Sequence, residues 1–368
     1  MVAKCRPTFG CPTRILKHMM QRQWLTTFAF GQMDSLTHIA LGACIGEAFF
    51  GKKIGKRAML LGAVAQSLPD IDFLASVWTG MPAVLLTHRG FTHSILFAVL
   101  AAVLLALIAE RIHRPHNIGL AKWMFFFAIQ MLIHIFIDAF NNYGVGWLEP
   151  FSHYRISFNA IYVADPFFSL WPAIAFFVLL VLKRGHAKRR YWWIFGVAIS
   201  FIYLGYCLIN KATIKAAVNT AFAKQGIPHT RYFTSPAPLQ NWLWYVVAGN
   251  DSGYYVGYRS VFDTKDSIAF TFFPSNRQLL NPVQQKKDVQ QLIRFSQQYY
   301  TAEQWHDTLV FNDLRFGQII GWQNPQEKFA FHYFLQPPNS NKMVVQRGRF
   351  AKWDGNVVRN LINRIKGN

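Results

Sequence analysis

The sequence predicts an all-helical membrane bundle of about six spans, followed by a small α+β domain outside the membrane. Hydrophobic residues make up 52% of the 368 positions and charged residues only 15%, whereas an ordinary soluble domain has roughly 25% charged residues. Long apolar segments fill the first part of the chain, and short strand-like runs fill the last part. This change of pattern divides the chain into a membrane part and an extramembrane part.

The first 32 residues differ from those that follow. They are basic, contain Pro7 and Pro12, and lack a long apolar core, which argues against a signal peptide. Met33 directly precedes the first polar cluster of the membrane part. We therefore expect residues 1–32 to be a non-native or disordered extension, with Met33 as the native start. A genuine basic tail is the alternative.

Six apolar segments are candidate spans, because a membrane helix needs about 20 apolar residues and at the least about 17. They make up a membrane domain over residues 33–209, and they cover residues 34–50, 58–76, 91–109, 120–140, 166–182 and 191–209. The first segment is marginal in length. The second ends in Pro69-Asp-Ile-Asp72, so a dip into the bilayer is an alternative to a full crossing.

Loop charge sets the predicted orientation of the bundle. Three alternate loops hold 12 lysines and arginines, and they lie at residues 51–57, 110–122 and 183–190. The other two loops carry one arginine each, Arg89 and Arg155. Basic loops stay in the cytoplasm, so we expect a multi-pass bacterial inner-membrane protein whose sparsely charged loops face the periplasm.

The formal charge of +21 therefore reflects topology for the most part, and no nucleic-acid partner is expected. The basic excess after residue 210 suits a surface of anionic lipid head groups. The expected partners are the lipid bilayer and a membrane lipid or lipid-linked substrate.

The last part of the chain is predicted to fold outside the membrane. Residues 210–238 are predicted to form an amphipathic helix and a linker with three prolines, and residues 239–368 an α+β domain in the periplasm. The predicted strands are Trp242–Ala248, Tyr254–Phe262, Ile268–Phe273, Thr308–Phe316 and Lys328–Leu335. The predicted helices are Val289–Tyr299 and Val357–Ile365.

Four polar clusters lie at the ends of the apolar helices, and the predicted topology places all of them at the outer face. They are Asp34-Ser-Leu-Thr-His38, Pro69-Asp-Ile-Asp72, His88-Arg-Gly-Phe-Thr-His-Ser94 and His134-Ile-Phe-Ile-Asp138. Ionisable residues in or near a bilayer are costly and are functional by default. Histidine and aspartate are ligands of divalent metals. The shared location therefore predicts a metal site at the outer face.

The spacing within the clusters supports this interpretation. His134 and Asp138 are four residues apart, so both project from one helix face and can hold one ion. Asp34 and His38 repeat the spacing, although any single pair is also compatible with a plain surface hydrogen bond. The carboxylates of the Pro69–Asp72 motif follow a helix end where negative charge is unfavourable. A bound cation would offset that repulsion.

The predicted site combines ligands with anion-binding and acid–base groups. The predicted metal ligands are His38, Asp70, Asp72, His88, His93, His134 and Asp138. The predicted catalytic residues are Asp34, Asp72, Arg89, Arg155 and Asp165. Arginine suits a phosphate or carboxylate, and an unligated aspartate can act as a general base. The ligands exceed what one tetrahedral zinc needs, so one or two ions are expected, with zinc favoured.

Several of these motifs also carry a family resemblance. The chain resembles the YdjM-type family of bacterial inner-membrane metal-dependent hydrolases in the four polar motifs from Met33 onward, in Pro150-Phe151 with Arg155, and in Asp165-Pro166. The resemblance covers about residues 33–182. It implies a metal-dependent hydrolase, and the apolar setting suggests an ester or phosphoester that is lipid-linked.

Two other functions remain open at this stage. A transporter or ion-conducting protein would need a polar path across the bundle, for which Gln66 and Gln130 are the obvious mid-helix candidates. A membrane scaffold with a structural metal would bind a partner through its outer domain and hydrolyse nothing. His306 and His332 in that domain are expected to be ordinary surface or core residues.

Overall fold

The computed structural model of this protein describes most of the chain. The described residues are 35–113, 116–335, 343–345, 350 and 352–367. The predicted extension at residues 1–32 and the predicted catalytic residue Asp34 lie outside them. Helices dominate up to residue 225, and antiparallel strands dominate after it.

The membrane part consists of seven α-helices and two short 3-10 helices within the described residues. The α-helices are α1 (35–54), α2 (Lys56–Ser67), α3 (Met81–Thr87), α4 (Ile95–Ile112), α5 (Leu120–Asp138), α6 (Pro166–Val181) and α7 (Arg189–Gln225). The 3-10 helices are Pro69–Val77, after α2, and Phe91–His93, before α4. Each 3-10 helix carries part of one polar cluster.

Three of the described helices, α4, α5 and α7, are long and apolar enough to cross a membrane. A fourth span results if α2 and the start of its 3-10 helix, which bend by 53°, are one segment. The expected six spans are therefore not supported. Helix α6 has 16 residues, about 24 Å at 1.5 Å per residue, against about 30 Å of hydrocarbon. Helix α1 carries Glu47, Lys52 and Lys53 in its last two turns.

For the second apolar segment, residues 58–76, a dip into the bilayer was the alternative to a full crossing, and the bend after α2 lies in this segment. Helix α2 ends at Ser67, and Pro69 begins the 3-10 helix. Proline lacks the amide hydrogen that would continue the α-helical ladder. The bend turns Asp70 and Asp72 back toward the other helices instead of letting them continue into solvent.

Small residues allow the helices around the polar clusters to approach closely. A Cβ added at Gly62 of α2 would clash with the Gly42 carbonyl of α1, so the two backbones are in contact at this crossing. Helix α4 presents alanines at positions 98, 102, 106 and 109 to the aromatic face of α5. These contacts bring α1, α2, α4 and α5 together at the level of the predicted site.

The domain that follows the helix bundle, called the outer domain because it lies beyond the end of the bundle, contains two four-stranded antiparallel sheets, each in simple sequential order. The first sheet consists of β1 (Arg231–Pro236), β2 (Leu243–Gly249), β3 (Gly253–Ser260) and β4 (Thr271–Pro274). The second consists of β5 (Tyr300–Trp305), β6 (Thr308–Gln318), β7 (Phe329–Leu335) and β8 (Met343–Val345). A 3-10 helix (Arg277–Leu280), α8 (Lys287–Phe295) and α9 (Gly355–Ile365) complete the domain.

The domain is layered as helix, sheet, sheet and helix. Alternate residues of β2 face opposite ways: Trp244 packs in one core with Val218 of α7, whereas Tyr245 packs in another with Leu314 of the second sheet. Helix α8 covers the far side of the second sheet through Leu292. The predicted small α+β domain is confirmed.

Strands β1, β5 and β8 of this domain were not predicted. Strand β1 lies in the segment that was predicted to be a linker. The strand tolerates Pro236 because this residue is its last and because β1 is an edge strand, which pairs only with β2 among the described strands. Helix α7 runs unbroken for 37 residues, about 55 Å, and includes the amphipathic segment predicted after residue 210. Its first half is a candidate span, and its second half belongs to the core of the outer domain.

The outer domain rests on the loop between α5 and α6. The Asn142 side chain donates to Ser235 Oγ at 2.6 Å and to the Arg315 carbonyl at 2.8 Å. Tyr143 packs edge-on against Phe316 with ring centroids 4.8 Å apart. The loop therefore lies between the outer domain and the polar clusters of the membrane part.

Candidate metal centre

Four side chains from three segments converge at the end of the helix bundle. Asp70 comes from the 3-10 helix after α2, His93 from the 3-10 helix before α4, and His134 and Asp138 from α5. One ligand atom from each lies within 4.8 Å of all the others. Three of the four residues are buried, and the Asp70 side chain is 21% exposed.

Five of the six distances between these atoms are close to those around a tetrahedral metal. The Nε2 atoms of His93 and His134 are 3.1 Å apart. Asp70 Oδ1 lies 3.5 Å and 3.6 Å from them, and Asp138 Oδ2 lies 3.3 Å and 3.5 Å from them. Ligands about 2.0–2.2 Å from zinc are about 3.3–3.6 Å from one another in a tetrahedron. The four side chains fit one divalent cation.

Two buried atoms of this cluster accept or donate no hydrogen bond among the described residues. They are Asp138 Oδ2 and His134 Nδ1. A buried polar atom without a partner is costly, and a buried carboxylate needs a nearby cation. Asp138 Oδ2 lies 3.1 Å from Arg89 Nε, but it also points at the two histidines. A metal between the histidines would use this oxygen.

Asp72 lies behind His93 and not in the four-residue cluster. Its Oδ2 is 3.3 Å from His93 Nδ1 and accepts from the Arg89 amide at 2.8 Å and Thr92 Oγ1 at 3.1 Å. Its Oδ1 is 3.0 Å from His88 Nδ1. A carboxylate bound to the far nitrogen of a histidine fixes the ring and its tautomer, so Asp72 directs His93 Nε2 toward the cluster.

His38 lies behind Asp138 in a similar way. Its Nε2 is 3.2 Å from Asp138 Oδ1, and its Nδ1 is 3.1 Å from Gln66 Oε1. Its ring stacks on that of His134 with centroids 3.8 Å apart. His38 therefore contacts two members of the cluster without joining it.

Arg89 connects the cluster to the outer loop. It is buried, with a positive φ of 59°, and its Nη1 donates to Asn141 Oδ1 at 2.6 Å. Its guanidinium lies 5.1 Å from the centre of the Tyr143 ring. Because Asp138, Asn141 and Tyr143 surround it, Arg89 stabilises the site from behind. His88, next to it, is the more accessible group, with its side chain 37% exposed.

Arg155 and Asp165 lie away from the cluster. The Arg155 guanidinium donates to the carbonyls of Leu86, His88 and Gly144, so it holds the loops together. Burial, with the nearby guanidinium of Arg315, lowers the pKa of Arg155 to about 9.

Asp165 is the N-cap of α6 and accepts from the amides of Phe167 and Phe168 and from the Tyr203 hydroxyl. Burial raises the pKa of Asp165 to about 6. Cap formation explains its position before Pro166.

Other residues of the site were not identified from the sequence. Gln66 holds His38, Asn141 holds Arg89, and Ser35 donates to Asp70 Oδ2 at 3.2 Å. Thr92 donates to Asp72, and Ser94 caps α4 by accepting from the Phe97 amide. A polar residue inside an apolar helix, as with Gln66, was the one available signal.

Comparisons with known proteins support the membrane assignment. The chain is 34% identical to the inner membrane protein YbcI of Escherichia coli (strain K12) over 122 residues, which are 33% of this chain and 69% of that protein. The family described as YdjM inner membrane protein matches residues 33–214. The chain belongs to the YdjM family. This membership and the apolar helices indicate an inner-membrane location.

A second relative is more distant. The chain is 28% identical to the uncharacterized protein YfhP of Bacillus subtilis (strain 168) over 178 residues, or 43% of this chain and 54% of that protein. No solved structure matches the chain. The YdjM family match includes all four residues of the cluster and ends within α7, so the two sheets lie beyond it.

Proposed function

We propose that this YdjM family protein is a metal-dependent hydrolase of the inner membrane, acting on a lipid-linked ester or phosphoester. The observation that carries the proposal is the convergence of Asp70, His93, His134 and Asp138, whose ligand atoms all lie within 4.8 Å of one another. Two imidazoles and two carboxylates form a ligand set suited to zinc. When bound, such a metal acts as a Lewis acid and makes water a better nucleophile near neutral pH.

In this proposal the surrounding residues keep the ligands in place. Asp72 fixes His93, His38 fixes Asp138, and Arg89 balances the negative charge of Asp138. The ligand roles expected for His38, Asp72 and His88 thus become supporting roles. Partners of this kind contribute strongly to metal affinity.

His88 is the group best placed to move a proton. Its Nδ1 faces Asp72 at 3.0 Å, its ring centroid is 6.0 Å from that of His93, and the side chain reaches the surface. In the proposed reaction water adds to the carbonyl carbon or phosphorus, and the bond to the leaving oxygen breaks. His88 would take the proton that the attacking water loses and pass it to the leaving oxygen.

The surroundings of Asp70 support an amphiphilic substrate. Asp70 is the most exposed member of the cluster, so a substrate approaches from its side. Exposed apolar side chains lie close to Asp70 in the sequence, namely Ile71, Phe73 and Leu74. Leu36, which follows the Ser35 that donates to Asp70, is also apolar and exposed. Apolar groups exposed at a membrane segment face lipid, which favours a substrate that is held in the bilayer by its own chains.

The transporter alternative has less support. The two glutamines that could line a path are both buried and hydrogen-bonded within the bundle: Gln66 to His38, and Gln130 to the Gly42 carbonyl at 3.1 Å. The scaffold alternative has one observation in its favour, since four protein ligands are also typical of a structural zinc site. Turnover discriminates between a hydrolase and a scaffold.

The test uses the full chain in lipid nanodiscs, loaded with zinc or manganese, against a panel of phospholipids and soluble chromogenic esters. We expect turnover by the native protein, loss of both metal and turnover in His134→Ala, and loss of turnover with metal retained in His88→Gln. His153→Gln is the matched control, because His153 is exposed in the outer loop and pairs with Glu149. A metal-loaded native protein that hydrolyses nothing on the panel would support the scaffold alternative.

A further inference from the structure

One end of the first sheet lies at the membrane boundary. Trp242, just before β2, donates from its indole nitrogen to the Tyr206 hydroxyl at 2.8 Å, and its ring is 5.2 Å from that of Phe167. Tyr206 lies in α7, 17 residues after the helix begins at Arg189, or about 26 Å along its axis. Trp and Tyr gather at membrane–water interfaces, so Trp242 marks the height of the bilayer surface.

Helix α9 packs across this same end of the sheet. Leu361 of α9 shares a core with Leu243, the first residue of β2. The last turn of α9 is held by Ser260, whose hydroxyl donates to the Ile365 carbonyl. The Val261 amide in turn donates to the Trp242 carbonyl at 2.9 Å. The C-terminal half of α9 is thus within a few residues of the boundary that Trp242 marks.

One flank of α9 is apolar and exposed. Val357 and Leu361 are buried against the sheet. Val358 and Ile362 each follow one of these buried residues, about 100° further round the helix, and they are 40% and 48% exposed. Arg359, Asn363 and Lys366 occupy the side of α9 that is turned away from the sheet. Residues four apart on a helix form one stripe, and we call Val358 and Ile362 the α9 patch.

Basic side chains border the α9 patch. Arg359 and Lys366 of α9, three residues before and four residues after Ile362, are exposed. Two acidic groups nearby are already engaged: Asp354 caps α9, and Asp266 pairs with Lys224 at 2.6 Å. An apolar stripe with basic neighbours is the pattern of a helix that lies in the surface of an anionic membrane.

We infer that α9 rests on the bilayer, with the α9 patch at the boundary between head groups and acyl chains and with Arg359 and Lys366 against anionic phospholipid head groups. The inference does not depend on the proposed hydrolase activity. It gives the outer domain a second attachment to the membrane besides α7. The domain would then be held at a fixed tilt over the loop that covers the metal centre.

The test measures contact between the α9 patch and lipid chains. Cys5, Cys11, Cys44 and Cys207 are replaced by alanine, one cysteine is introduced by Ile362→Cys or Val358→Cys, and it is labelled with bimane. The protein is placed in nanodiscs of phosphatidylglycerol and phosphatidylcholine, with and without bromine on the acyl chains. The control label is introduced by Asp307→Cys, in the exposed β5–β6 turn.

We expect bromine to quench the labels at 362 and 358 at least about twofold more than the control label, since such helices sit about 5–10 Å into the boundary. Changing Arg359 and Lys366 to glutamine should reduce quenching in anionic discs to the level of purely zwitterionic discs. Equal quenching at all three positions would overturn the inference. Cross-linking of two chains through position 362 without quenching would also overturn it, in favour of a second copy as the partner.

Discussion

The Nε2 atoms of His93 and His134 lie 3.1 Å apart, between the carboxylates of Asp70 and Asp138. The two histidines are 41 residues apart in the chain and come from different segments. Their rings are held in this arrangement from behind, His93 by Asp72 and His134 by its stacking on His38. Such an arrangement presents two nitrogen lone pairs to one point, which is the requirement of a metal site.

Metal removal should therefore destabilise the membrane part. Without the cation, two carboxylates and two imidazoles remain buried together, and the native state loses the binding free energy of the ion. That loss is about 4 kcal/mol when the free metal is at about a thousand times Kd. Thermal unfolding in detergent, with and without a chelator, measures it. Asp138→Ala should show no response to the chelator, and an equal response in both proteins would contradict the site.

Asp72 should affect metal affinity without binding the metal. In Asp72→Asn the side chain can still accept from Thr92, but it no longer carries the charge that orients His93. Loss of such a partner typically lowers metal affinity about 10–100-fold. Titration with a competing fluorescent chelator measures Kd. A complete loss of metal in Asp72→Asn would instead indicate that Asp72 is itself a ligand.

Arg89 should be needed for folding, because its guanidinium is buried between Asp138, Asn141 and Tyr143. Arg89→Gln leaves the Asp138 charge without its cationic neighbour. Removal of one partner of a buried ion pair costs about 3–5 kcal/mol. The free energy of unfolding in mixed micelles measures the loss. Arg294→Gln is the control, since Arg294 is exposed and 3.7 Å from Glu149, and an equal loss in both variants would refute the assignment.

Asp165 should make stability depend on pH. Burial raises its pKa to about 6, above the unfolded value of about 3.9, so the native state holds this proton more tightly than the unfolded state. The protonated Asp165 therefore stabilises the native state fully below about pH 4. This stabilisation, about 2–3 kcal/mol in the free energy of unfolding, is lost as the pH rises to about 6.

The difference in unfolding free energy between the native protein and Asp165→Asn isolates this effect. We expect the native protein to lose stability relative to the variant between pH 4 and pH 7. A difference that stays constant over this range would show that Asp165 is already ionised at pH 4.

Much of the candidate site could be predicted because its residues occur in short sequence motifs with recognisable spacing. His134 and Asp138 follow from positions four apart on one helix, and His93 and Asp70 from compact polar motifs at helix ends. Which carboxylate faces the cluster could not be predicted. Asp70 and Asp72 lie on a 3-10 helix after a 53° bend, and their directions depend on that bend and on the His88–His93 loop that receives Asp72.

The fold shows the same division between local and long-range information. The strands β2, β3, β6 and β7 were predicted from apolar runs, and α5 from its length and hydropathy. The span count was not, because hydropathy does not distinguish a crossing helix from one that is apolar but too short, such as α6. The helix after Asn210 was predicted from its amphipathic pattern, whereas the sheet against which it packs could not be predicted from any local pattern.

X-ray absorption spectroscopy of the zinc-loaded protein tests the central claim most directly. It measures the number, type and distance of the ligand atoms without requiring a substrate. We predict one ion with two imidazole nitrogens and two or more oxygens at about 2.0–2.2 Å, and the loss of one imidazole in His134→Ala. A spectrum of an ion surrounded only by water and surface carboxylates, unchanged by His134→Ala, would contradict the account.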